Sequence, residues 1–275
     1  MQLLTKRIDT VTYEGNLLKM RVALEDPVRY TLKLQDDEID MNQLLGQTIH
    51  IAFDGRINCI NCGRAIKKAF GQGFCYPCFI NAPQNSECII RPELCRAHLG
   101  EGRDIEWEEK HHLQPHIVYL AQTDAIKVGV TRSTQVPTRW IDQGARRALP
   151  IAEVPYRYLA GKIEVELKDQ FTDKTNWRNM LKDVEKEGVQ LENYCKEAQM
   201  FLSDDVQEYV LDECPVTEIH YPVTEYPTKV KSLGLVKNPV ISSKLLGIRG
   251  QYLILEQGEV FNIRNHSGYY VQFSY

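Results

Sequence analysis

No uncharged apolar run in this chain approaches the ~20 residues that a membrane-spanning helix requires, so a helical anchor is not expected. The opening residues Met1-Gln2-Leu3-Leu4-Thr5-Lys6-Arg7 lack the apolar centre of a signal peptide. Internal repeats and low-complexity tracts are also missing, which argues against a repeat array. Nor is there an excess of positive charge. With 33 Lys and Arg against 37 Asp and Glu, the net charge is −4, and a general nucleic-acid coat is disfavoured. The expected setting is a reducing cytoplasm, where thiols stay free.

What is present fits a soluble globular protein. Hydrophobic residues make up 43% and charged residues 25% of 275 positions, enough for one large domain or two modest ones. Charge is unevenly spread. From Asp124 to Lys162 there are seven basic residues (Lys127, Arg132, Arg139, Arg146, Arg147, Arg157, Lys162) and three acidic ones (Asp124, Asp142, Glu153). The segment 183–213 is acidic by contrast. A local basic face is therefore compatible with an acidic whole.

Six of the eight cysteines fall in the 37 residues from Cys59 to Cys95. Cys59/Cys62 and Cys75/Cys78 are two Cys-x-x-Cys pairs, a spacing that lets four thiolates converge on one tetrahedral zinc. Gly63 and Gly73 stand beside the ligands, where knuckle turns need positive φ. Two disulfides in a secreted domain would explain the pattern too, but nothing in the sequence points to export. Such a four-thiolate zinc is closed and braces the fold; it has no open position for a substrate. Cys88, Cys95 and His98 have ligand-like spacing for a second zinc, with His111 as the fourth candidate and His112 or His116 able to complete the set. Buried free cysteines packing as small hydrophobes would explain Cys88 and Cys95 as well. Cys195 and Cys214 read as unpartnered core residues.

The fold class reads as α+β in four stretches. Residues 1–57 are β-rich, 58–115 form the zinc module, 116–213 hold a small sheet with flanking helices and a helical extension, and 214–275 are β-rich again. The two β-rich ends suggest one small barrel with the middle inserted. Ile117–Ala121 and Ala125–Thr131 flank a three-residue polar break and form a hairpin. A short helix follows at Thr138–Gln143, then a strand near Ile151. A longer helix from about Ala160 carries Ile163, Leu167 and Phe171 as an apolar stripe. Glu164 is turned from that stripe by about 100°, toward the hairpin.

This order of hairpin, helix with arginine, strand, and helix with glutamate resembles the GIY-YIG nuclease superfamily over roughly residues 116–172. Val118-Tyr119 stands at its first motif, Lys127-Val128-Gly129 at its second, Arg139-Trp140 at its helical arginine and Ile163-Glu164 at its metal-binding glutamate. The resemblance implies a phosphodiesterase that uses magnesium or manganese on DNA or RNA. Tyr119 would help activate water, Arg139 would neutralise phosphate and Glu164 would hold the cation. Lys127 replaces a second tyrosine and could add positive charge. Arg132, Trp140 and Asn176 are the candidates for substrate contact.

From about residue 55 to 180 the chain also resembles an uncharacterised prokaryotic family classed only as a domain of unknown function. The matching phrases are Cys75-Tyr-Pro-Cys78-Phe, Arg91-Pro-Glu-Leu-Cys-Arg-Ala-His98, Gly129-Val-Thr-Arg132, Arg139-Trp-Ile-Asp-Gln-Gly-Ala145 and Asp173-Lys-Thr-Asn-Trp-Arg178. Tyr119 can be a plain strand tyrosine, Arg139 can pair with Asp142 or Glu164, and Asn176 can cap a helix. A non-catalytic nucleic-acid-binding adaptor on the same fold is the alternative function.

Overall fold

The computed structural model describes residues 11–171, 175–184 and 190–275. Strand β1 (Thr12–Asn16) is followed by β2 (Arg21–Ala23), β3 (Arg29–Leu34), β4 (Asp37–Asp40) and the long β5 (Thr48–Ile57). The cysteine-rich segment then contributes helices α1 (Tyr76–Asn81) and α2 (Ile105–His112) with short 3-10 turns between them. The middle block runs β6 (His116–Gln122), β7 (Ile126–Arg132), α3 (Thr138–Asp142), β8 (Arg147–Val154) and α4 (Arg157–Leu167). Helices α5 (Trp177–Leu181) and α6 (Leu191–Met200) come next. The chain finishes with β9 (Thr217–Glu218), β10 (Lys231–Leu233), β11 (Val240–Arg249), β12 (Tyr252–Leu255), β13 (Glu259–Asn262) and β14 (Tyr269–Ser274). Among the described residues no helix is long and apolar enough to cross a membrane.

The two β-rich ends do join, but not as a barrel. One seven-stranded sheet runs β1-β14-β5-β11-β12-β13-β10 and stays open, with β1 and β10 as its edges. Closure fails because β10 pairs with β13, in parallel, and does not return to β1. The sheet β2-β3-β4 covers the same core instead, burying Tyr30, Leu32 and Leu34 on alternate positions of β3. Glu14-Gly15-Asn16, which reads as a polar turn, lies within β1, because Asn16 pairs with Tyr270 and Glu14 with Gln272.

The third sheet, β7-β6-β8-β9, carries the middle block. Every residue of β6 is buried, because the strand lies between two cores. Ile117, Tyr119 and Ala121 face the core shared with the end sheet. Val118 and Leu120 face the core built with α4 and α6. This period of two decides that Tyr119 points toward α3, not toward the helix stripe. Ile163, Leu167 and Phe171 line the second core as the four-residue spacing predicts. Cys195 and Cys214 are not separate core residues. They form a disulfide, since the chain after α6 turns back and sets their Cα atoms 6.5 Å apart.

Three close approaches fasten the cysteine-rich segment between the other parts. A Cβ at Gly161 of α4 would lie 2.1 Å from the Glu93 nitrogen, and one at Gly268 would lie 2.2 Å from the Asn58 oxygen. A Cβ at Gly73 would meet the Ser267 oxygen at 2.7 Å. Arg157, at the start of α4, donates from Nε to Cys88 O and from Nη2 to Ile89 O, both at 2.9 Å. Gly161→Ala tests this contact with opposed signs. Helix propensity alone favours alanine by about 1 kcal/mol. The collision with backbone should outweigh it and lower the thermal midpoint by several degrees, roughly 2 kcal/mol of overpacking. A raised midpoint in calorimetry would show that the helix does not touch the segment here.

Candidate functional site

The first Cys-x-x-Cys pair follows directly from β5. Gly63 N–H donates to Cys59 O at 2.8 Å and Cys59 N–H to Arg64 O at 2.9 Å, closing a tight turn that Gly63 completes at φ +73°. The second pair opens α1, where Phe79 N–H donates to Cys75 O at 2.8 Å. The four sulfurs of Cys59, Cys62, Cys75 and Cys78 lie within 4.8 Å of one another, and Cys62 and Cys75 are 3.8 Å apart. A tetrahedral four-sulfur zinc has edges of about 3.8 Å, so the donor set fits. Burial raises the Cys59 thiol pKa, but backbone hydrogen bonds involving Cys75, Cys62 and Asn61 bring it down to about 6, toward the thiolate. This cluster could hold a metal ion such as zinc.

Cys88 and Cys95 also meet, but their neighbours are Glu108 and His112, not His98 and His111. Helix spacing explains the difference. Glu108 and His112 are four residues apart on α2 and share its buried face, with His112 Nδ1 and Glu108 Oε2 at 2.7 Å. His111 falls on the adjacent face, stacked on Trp107 and hydrogen-bonded through Nδ1 to Trp107 O at 2.7 Å. His98 is stacked between Tyr156 and Tyr158. His116 is buried in β6, donating from Nδ1 to Gln114 O at 2.7 Å, and burial pushes its pKa down to about 4.

Tyr119, Lys127, Arg139 and Glu164 line one cleft of about 940 Å³. Its walls come from the cysteine-rich segment, the β7-β6-β8-β9 sheet with α3 and α4, and the end sheet. Residues on both faces of the small sheet reach it because β7 is an edge strand and position 129 has no side chain. Tyr119 pairs with Gly129 across the ladder, and a Cβ at Gly129 would meet its hydroxyl at 2.6 Å. Tyr119 donates to Gln143 Oε1 at 2.9 Å. Burial raises its pKa, with the Arg139 guanidinium opposing, so the phenol is protonated at neutral pH.

The cleft is strongly cationic. Among the described residues Lys19, Lys127, Arg139, Arg157, Lys168 and Arg264 line it, against Glu164 as the one acidic residue on its wall. A smaller adjoining pocket of about 240 Å³ adds Arg132 and Asp142. Asp142, a sequence candidate to pair with Arg139, instead meets Lys19 at 2.5 Å and accepts from Gln251 Nε2 at 2.9 Å. Glu164 lies 3.8 Å from Lys168 Nζ, and Lys127 Nζ donates to Thr175 Oγ1 at 2.9 Å. Burial lowers the pKa of Arg157 and Arg264, and Arg139 lowers both further by like-charge repulsion.

Of the proposed substrate contacts, only Arg132 is on a pocket wall. Trp140 is 3% exposed and packs on Tyr119 with ring centroids 5.9 Å apart, so it is core. Asn176 caps α5, its Oδ1 accepting from Arg178 N at 3.2 Å and Asn179 N at 3.4 Å. Lys19, Arg157, Lys168 and Arg264 were not among the sequence candidates. Arg157 lay within the basic stretch, but Lys19 and Arg264 come from opposite ends of the chain and only the end sheet brings them here. Gly129→Ala should push the Tyr119 ring off its seat, cost roughly 2 kcal/mol and lower the melting midpoint by a few degrees. An unchanged midpoint would mean that the ring does not lie against Gly129.

Comparison with curated proteins finds no match, and neither does comparison with solved structures. A family model described as "Protein of unknown function (DUF2797)" matches residues 46–271, which takes in all the cysteines, the small sheet and most of the end sheet, and the chain belongs to that family.

Proposed function

We propose that the cationic cleft binds the phosphate backbone of DNA or RNA and that the protein processes nucleic acid there. One observation carries this reading: six Lys and Arg side chains surround one cleft in a chain whose net charge is −4. Like charges gathered this closely repel, and a bound polyanion relieves the repulsion. The cleft, of about 940 Å³, is lined in part by the edge strand β7.

The finer reading is phosphodiester cleavage by a GIY-YIG-like endonuclease. The strand order β7-β6-β8, with α3 carrying Arg139 and α4 carrying Glu164, supports it. So does the meeting of Tyr119, Arg139 and Glu164 on one wall. A magnesium or manganese ion at Glu164, completed by waters, would supply charge to the leaving oxygen. Arg139 would neutralise a non-bridging phosphate oxygen. Tyr119, kept protonated by burial, would orient the attacking water by hydrogen bonding and would not remove its proton. Zinc at Cys59, Cys62, Cys75 and Cys78 would brace the wall opposite the sheet.

A non-catalytic binding protein is the second reading. Lys168, within 3.8 Å of Glu164, favours it because it competes with a cation for that carboxylate, and Lys127 stands where the nucleases carry a second tyrosine. Two measurements separate the readings. Fluorescence anisotropy with single-stranded, duplex and branched DNA and RNA should show affinity that falls steeply with salt, and Arg139→Ala should reduce the salt slope by about 1. Salt-independent binding, or none, would remove the phosphate reading. With magnesium or manganese, cleavage that disappears in Glu164→Gln and Arg139→Ala would place the chemistry in this cleft; cleavage that survives both would place it elsewhere.

A further inference from the structure

We infer that Cys88, Cys95, Glu108 and His112 form a second metal site, closed and mixed in its donors, for a divalent cation of the zinc class. Exposure of the four residues runs only from 2% to 7%. Two thiols, a carboxylate and an imidazole aimed at one buried point are hard to reconcile with an apolar interior. Burying a carboxylate is unfavourable unless it is paired or binds a metal. The pairing also matches the chemistry of the ion: zinc accepts sulfur, imidazole nitrogen and carboxylate oxygen in one tetrahedron.

Distances agree with that geometry. Cys95 Sγ is 3.5 Å from His112 Nδ1, Cys88 Sγ is 3.9 Å from the same atom, and Cys88 Sγ is 4.0 Å from Glu108 Oε2. A tetrahedral zinc places sulfur about 3.5 Å from nitrogen or oxygen ligands. The His112–Glu108 edge, 2.7 Å here, would open by about half an ångström around an ion. Outer contacts already hold the ligands. Glu108 Oε1 accepts from Arg103 N at 3.3 Å, the Gly102 backbone lies against its carboxylate, and Ser86 Oγ is 3.1 Å from Cys88 Sγ.

The site has a definite mechanical position. It joins α2 to the segment whose carbonyls at Cys88 and Ile89 receive Arg157, and whose Pro92 and Glu93 backbone meets Gly161. Arg157 lines the cationic cleft. The ion would therefore fix one cleft wall from behind without touching a substrate, and its four protein donors leave it no open position.

The test uses the purified full-length chain and reads metal, so it does not depend on whether the cleft binds phosphate. Elemental analysis should give about two zinc ions per chain, and zinc X-ray absorption should give on average about three sulfurs and one lighter donor per ion. His112→Ala and Glu108→Gln should each lower the content to about one, with about four sulfurs around the remaining ion. One zinc per chain with four sulfurs in the unmutated protein would overturn the proposal, and so would two zincs retained in both variants. Should His112→Ala fail to fold, the absorption spectrum of the unmutated protein still decides.

Discussion

Strand β5 sits between β14 and β11, and the rest of the structure depends on that placement. The described residues between β5 and β10 are thereby an insertion between two strands of one sheet. Because the insertion leaves and returns at the same sheet, its cysteine-rich part and its small α/β sheet are folded back against the ends of the chain. The cleft is the seam where these three parts meet, which is why Lys19 and Arg264 stand beside Arg139 and Glu164.

That seam also explains how an acidic chain presents a cationic surface. Acidic residues are in slight excess overall, but among the described residues the cleft wall holds six cations and one carboxylate. Asp142, on the adjoining pocket, offsets Lys19 and is also held by Gln251. Arg157 and Arg264 bond neutral groups, two carbonyls and the Gln72 side chain. Their charges are hydrogen-bonded but not cancelled, and an anion in the cleft would feel them through a medium of reduced dielectric.

Local chemistry was legible in the sequence, and long-range assembly was not. The Cys-x-x-Cys pairs converge because each needs only a tight turn of its own. The stripe of Ile163, Leu167 and Phe171 is buried because periodicity is a property of one helix. Tyr119, Lys127, Arg139 and Glu164 share a cleft because their order fits one compact unit of hairpin, helix, strand and helix. By contrast, an open sheet and a closed barrel share the same alternation of residues, so no pattern in β10 reveals that it stops at β13. The choice of His112 over His111 turns on which face of α2 is buried. A Glu-x-x-x-His spacing was there to be read, but it becomes a signal only once the helix is placed. Trp140 and Asn176 share one feature: an aromatic and an amide near a motif look like substrate contacts in the sequence, while the fold packs the first and uses the second as a helix cap.

The interleaving of the ends has a consequence during synthesis. Residue 52 of β5 pairs with residue 240 of β11 and with residue 272 of β14. At roughly 5–20 residues per second, those partners are made on the order of 10–40 s after β5 itself. During that interval β5 is a ten-residue strand with both edges unpaired, while the cysteine turns and then the small sheet receive all their own residues before β11 is made. Topology thus sets a limit on events on the ribosome: the inserted parts can fold before the sheet that frames them is able to close.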